Sequence, residues 1–141
     1  MTFKEMNAAV MLLSTLVISA WVLVQAGGDP GATVPEVAAR LCWAMLASVV
    51  FNIVAAIVFA ILVSIAQGRE LKDEPADERD RAVGARAMRN AYVVASAGGA
   101  GGIFLWAFGF DVTTGIHVLF GGLMLAGATD ALSRLVYYRI G

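Results

Sequence analysis

"LCWAMLASVVFNIVAAIVFAILVSIAQ", residues 41 to 67, contains no charged side chain. A helix needs about 20 apolar residues to cross about 30 Å of hydrocarbon, and this run exceeds that. Only helices and closed barrels satisfy their own backbone in lipid. The run shows no alternation with a period of two, so a membrane-spanning helix is the expectation.

Three further apolar runs flank it, at 8–26, 91–110 and 115–132. The chain therefore reads as an all-α membrane protein with four transmembrane helices in a single domain of 141 residues. Composition agrees. Hydrophobic residues make up 60% and charged residues 15%, with mean hydropathy +0.78 and net charge −1. A soluble domain carries about a quarter charged residues. Cys42 is the sole cysteine, which excludes an intrachain disulfide and a cysteine-based zinc site. Val24-Gln25-Ala26 would pass as a signal-peptidase site. The first run is longer than the usual 7–15-residue signal core, so retention of this helix is expected.

The boundaries carry helix signals. Thr2-Phe3-Lys4-Glu5 and Thr33-Val34-Pro35-Glu36 both fit a capping box, and Pro35 suits a first turn. "GGDPG", residues 27 to 31, reads as a turn. "GFD", residues 109 to 111, leaves so short a connection that the third and fourth spans must be antiparallel neighbours. Two antiparallel hairpins result, each with a tryptophan (Trp21, Trp106) just before its outer turn, which hints at a parallel repeat. Every basic residue except Arg40 falls on one side: Lys4, Arg69, Lys72, Arg79, Arg81, Arg86, Arg89, Arg134 and Arg139. Positive charge stays cytoplasmic, so both termini are expected there, as in a multi-pass protein of the bacterial inner membrane.

More than half of the charged side chains crowd into the cytoplasmic segment 68–89. Pro75 marks a turn, and Asp77 is a good helix cap with Glu78 and Asp80 in the first turn. Asp77 and Arg81 have the spacing and order of a helical ion pair. A helix from Glu78 to Phe110 would measure about 50 Å, so its first turns must project beyond the hydrocarbon. One reading is a solvated, charge-paired helix start whose arginines anchor the third span. The other is a docking surface for a soluble protein, formed by Asp77, Glu78, Arg79, Asp80 and Arg81. The interleaved acids weigh against anionic lipid at Arg81, Arg86 and Arg89 and against direct nucleic-acid binding.

Asp77-Glu78-Arg79-Asp80, between the second and third of four short spans, resembles a family of small bacterial membrane proteins with a domain of unknown function. Its members share a D-E-R-(D/E) motif at the cytoplasmic start of the third helix, and some are encoded beside small helix-turn-helix regulators. The resemblance covers the four-span layout and about six motif residues. It implies the fold and a regulatory partner such as a transcriptional regulator, and it implies no activity.

Ionisable residues inside a span are functional candidates by default. Asp130 and Arg134, four apart near the cytoplasmic face, read as an intrahelical ion pair, or as a relay if Asp130 meets Arg86 or Arg89. His117 and the helix cap Asp111 lie near the outer face, where His117 either makes an interhelical hydrogen bond or senses pH. Cys42 reaches a similar depth, yet no ligand spacing supports a metal there. Asn52 reads as hydrogen-bonding glue between helices. "SAGGAGG", residues 96 to 102, is not a phosphate loop, because Phe104 stands where the last glycine of G-x-G-x-x-G belongs. Gly98 and Gly102 instead form a G-x-x-x-G face, with Gly99 nearby, against Gly122 and Ala126 of the fourth span or against a second subunit. A broken helix at a binding site is the alternative.

No catalytic set, cofactor motif or metal set converges, which points away from an enzyme. The function expected is a small inner-membrane binding or regulatory element whose charged segment docks a soluble partner. The alternative is an oligomeric channel or transporter subunit for a small ion or solute.

Overall fold

The computed structural model describes residues 3–28, 31–68 and 77–140. Among these, every regular element is a helix: α1 (Phe3–Gly28), α2 (Val34–Gln67), α3 (Glu78–Ala107) and α4 (Val112–Ile140). Three of them, α1, α2 and α4, are long and apolar enough to cross a membrane. α3 falls outside that set. Its first turns carry Glu78, Arg79, Asp80, Arg81, Arg86 and Arg89, and its uncharged remainder is diluted by Tyr92, Ser96 and four glycines.

The ends of the helices follow local chemistry. The amide and hydroxyl of Thr33 both donate to Glu36 Oε2, at 2.8 and 2.7 Å, and Pro35 occupies the first turn of α2. α2 ends at Gly68, whose φ of 61° is the left-handed cap that glycine adopts without strain. α3 stops at Ala107 instead of continuing to Phe110 because Gly109 turns left-handed, with φ 80°. α1 runs on through Gly28, so the expected turn at 27–31 is shortened, and its Asp29 and Pro30 lie outside the described residues. So do Thr2 of the first expected capping box and residues 69–76 of the charged segment.

α4 lies at the centre. It packs along α3 and along α1 and touches α2, whereas the described residues of α2 and α3 do not meet. Ile18 and Val22 of α1, Val37, Leu41 and Ala44 of α2 and Phe120 of α4 form one apolar cluster, flanked by Ile116 and Met124. Past Asn52, no described residue of α2 is buried, and Ile53, Ile57, Ile61 and Ile65 are all exposed. Arg40 donates to the Gln25 carbonyl at 3.4 Å, which brings the end of α1 to the start of α2. At the opposite end, Lys4 pairs with Asp80 and Arg79 donates to the Tyr138 carbonyl at 3.2 Å. The starts of α1 and α3 and the end of α4 therefore gather together.

The glycine-rich stretch of α3 is continuous helix. A Cβ placed on Gly98 would lie 2.5 Å from Gly122 Cα, and one on Gly102 would lie 3.2 Å from the Gly115 carbonyl oxygen and 3.3 Å from Leu119. Backbone meets backbone here, which only glycine permits. Ala126, one turn beyond Gly122, is buried. Gly99 takes no part. It is about 100° further round the helix and has nothing within 4 Å of its Cβ position.

Candidate functional site at the charged end

The run Asp77-Glu78-Arg79-Asp80-Arg81 divides into two roles. Asp77 Oδ1 accepts from the Asp80 amide at 2.7 Å, and Asp80 Oδ2 accepts from the Asp77 amide at 3.2 Å, a reciprocal cap on α3. The expected Asp77–Arg81 ion pair does not form, because the Asp77 carboxylate is turned back onto its own helix start. Asp80 also binds the Lys4 ammonium of α1. That bond is the largest cause holding the Asp80 carboxyl below the usual aspartate range. The Asp77 backbone, the Lys4 charge and the Tyr138 hydroxyl act in the same direction, against partial burial. Arg79 is tied to α4 through the Tyr138 carbonyl. Among the described residues, Glu78 and Arg81 are exposed side chains with no such ties.

Four turns into α3, Asn90 Nδ2 donates to Ser133 Oγ at 3.2 Å and to the Tyr137 hydroxyl at 3.1 Å, clamping α3 to α4. Asp130 is held within α4 by Arg134, whose Nε and Nη2 reach the two carboxylate oxygens at 2.8 and 3.2 Å. The relay through Arg86 or Arg89 is not built. Val83 and Ala87 are the buried face of α3, which leaves Arg86 and Arg89 exposed on the other sides.

These groups surround a cleft of about 420 Å³ lined by Phe3, Lys4, Asn7, Ala8 and Met11 of α1, Asp80 of α3, and Asp130, Arg134 and Tyr138 of α4. It brings together Asp80 from the charged motif and the Asp130–Arg134 pair, which lie 50 residues apart in the chain. No family model, curated protein or solved structure matches the chain.

The remaining candidate residues lie elsewhere. Asn52 Nδ2 donates to Ser14 Oγ of α1 at 2.8 Å and to the Ser48 carbonyl at 2.9 Å, and Ser14 is fully buried. His117 Nδ1 is 2.8 Å from the Thr113 carbonyl of its own helix, a contact in which the ring N–H donates. It lies six residues past Asp111, which caps α4. The Thr113 and Thr114 hydroxyls donate to Asp111 Oδ2 at 2.6 and 3.0 Å, and the Thr114 amide does so at 3.3 Å. The Thr113 hydroxyl is the main reason that the Asp111 carboxyl sits below its usual range. Cys42 is exposed. Among the described residues, no three His, Cys, Asp or Glu side chains are grouped to hold a metal ion.

Lys4, Asn7 and Tyr138 were not identifiable as site residues from sequence. Lys4 counts there only among the basic residues of one side, and only the packing of α1 and α3 beside α4 shows that Lys4, Asn7 and Tyr138 share a cleft with Asp80. Asn90 carried a usable signal, as an amide at the boundary of the third apolar run.

Proposed function

We propose that the chain is a small binding or regulatory protein of the bacterial inner membrane, not an enzyme, whose α3 start docks a soluble protein. In this reading its four helices all span the bilayer as two antiparallel hairpins, with both termini cytoplasmic. The distribution of Lys and Arg supports that orientation. The observation that carries the docking reading is the division of labour within the D-E-R-D motif. Asp77, Arg79 and Asp80 fix the start of α3 to its own backbone, to α4 and to α1. Glu78 and Arg81 are exposed side chains on that rigid base. Preorganised charges of both signs favour a complementary protein surface and lose little entropy on binding. The family resemblance adds a helix-turn-helix regulator as the kind of partner to test first.

A photo-crosslinking residue at position 78 tests this in cells. A discrete adduct with one soluble protein, lost in the Arg81→Ala background while the membrane protein stays folded, is the expected result. Adducts with lipid or with copies of the same chain alone refute it. The Asp77/Asp80 double alanine variant is unsuitable for this purpose, because it removes the cap.

The polar cleft favours one second reading, a channel or transporter subunit completed by self-association. That reading requires flux in liposomes that Asp130→Asn, in the cleft lining, alters. Flux no greater than in empty liposomes counts against it.

A further inference from the structure

We propose that the cleft between α1, the start of α3 and the end of α4 binds the headgroup of a phospholipid carrying a phosphate and a primary ammonium. The proposal rests on the chain being membrane-embedded and is independent of the docking reading.

The lining holds two cations, Lys4 and Arg134, and two anions, Asp80 and Asp130, contributed by three separate helices. A simple anion would enter against two carboxylates, and a simple cation against an ammonium and a guanidinium. A zwitterion instead meets both signs with their opposites, and each wrong-charge ligand leaves a pair of like charges facing it.

The side chains have capacity for such a guest. Arg134 has five N–H donors, and its bonds to Asp130 use only Nε and Nη2. Its Nη1 lies on the α3 side, 3.6 Å from the Cβ position of Gly84, where the missing side chain leaves it room. Each carboxylate accepts about four hydrogen bonds, so Asp80 and Asp130 keep lone pairs beside their present partners. Asn7 is exposed at the cleft and adds a neutral donor and acceptor. The two carboxylates are only 17% and 14% exposed, so a bond made there is partly shielded from water.

Position fits as well. The cleft lies at the first turns of α1 and the last turns of α4, where helices leave the hydrocarbon for the headgroup layer. Phe3, Ala8 and Met11 supply an apolar wall for the glycerol and the tops of the acyl chains. A primary ammonium donates N–H bonds to Asp80 and Asp130, whereas a quaternary ammonium cannot. Phosphatidylethanolamine is therefore selected over phosphatidylcholine and phosphatidylglycerol.

The full-length protein is equilibrated in vesicles containing equal parts of these three lipids with matched acyl chains. The lipids that stay bound on extraction are then counted by native mass spectrometry. Phosphatidylethanolamine should be enriched about tenfold, the ratio expected of one charge-assisted hydrogen bond at the low end of its range. Arg134→Gln should abolish the enrichment. Asn7→Leu, at an exposed position, keeps the fold and should reduce it severalfold. Bound lipid that mirrors the vesicle composition, or enrichment unchanged in both variants, overturns the proposal. Saturable binding of soluble phosphoethanolamine without enrichment of the lipid also overturns it, by assigning the cleft to a free metabolite. The crosslink from position 78 is a separate readout, so failure of one proposal leaves the other intact.

Discussion

Neighbouring glycines in α3 should respond to alanine with opposite signs. A Cβ on Gly98 would sit 2.5 Å from Gly122 Cα and 3.4 and 3.5 Å from that residue's carbonyl carbon and nitrogen. Carbon atoms settle at about 3.5–4.0 Å, so α3 and α4 must part by about 1 Å. No rotamer change relieves this, because both sides of the contact are backbone. A gap of that size forfeits about a quarter to a half of a contact worth about 0.1–0.2 kcal/mol. Summed over a few tens of contacts along the seam, the loss is about 1–3 kcal/mol, the usual range for overpacking. Alanine returns about 1 kcal/mol of helix propensity, so Gly98→Ala should destabilise by up to about 2 kcal/mol. Gly99→Ala meets nothing within 4 Å and should keep the propensity gain, about 0.5–1 kcal/mol of stabilisation. On α4, Gly122→Ala and Gly121→Ala should repeat the contrast, since only Gly122 faces the seam. Unfolding in mixed micelles with rising dodecyl sulfate, followed by Trp fluorescence, measures all four. A Gly98→Ala variant more stable than wild type, matching Gly99→Ala, would refute the backbone-contact argument.

Removing the Asn52 amide should cost about 0.6–2 kcal/mol. A double-mutant cycle of Asn52→Leu with Ser14→Ala should return a coupling energy above about 0.5 kcal/mol, and strict additivity would show that the 2.8 Å bond contributes nothing. The Asp80 carboxyl is depressed chiefly by Lys4. A depressed carboxyl contributes stability that is present above its unfolded value of about 3.9 and is lost as pH falls through the lower folded value. Amide exchange at the start of α3 should therefore accelerate only below about pH 4. Lys4→Gln should raise the folded value towards the unfolded one and so shrink this acid-dependent loss, and an unchanged profile would separate Asp80 from Lys4. Asp111→Ala removes the acceptor of three bonds at the start of α4 and should cost about 0.5–2 kcal/mol. The readout is loss of exchange protection confined to the first turn of α4.

Apolar runs placed the helices because burial in lipid needs only length and the absence of charge, and 41–67 supplies both. Their starts were legible where a capping residue decides them: Thr33 with Glu36 at α2, and Asp77 at α3, whose reciprocal bond with Asp80 only the structure shows. The end of α3 was missed by three residues because hydropathy continues through Phe108 and Phe110, while Gly109, with its left-handed φ, breaks the helix. Spacing put Gly98 and Gly102 on one face, but it could not distinguish Gly99 as a bystander, since that depends on the azimuth of α4. The cleft was the least legible feature. Lys4, Asp80 and Arg134 come from three helices, and their meeting depends on how α1 and α3 pack beside α4. Sequence spacing within one helix suggested Asp130 with Arg134. The same logic offered Asp77 with Arg81, which the cap overrides.

α3 is the helix least suited to lipid, and it is the one whose packing depends on a neighbour's backbone. The two facts bear on how the chain is made. α3 leaves the ribosome before α4 and lacks the apolar length that commits a segment to the bilayer on its own. In the proposed four-span topology, its partition is decided when α4 emerges and the Gly98–Gly122 contact becomes available. A nascent chain halted before residue 112 should hold α1 and α2 in the membrane and leave α3 exposed to quality-control proteases.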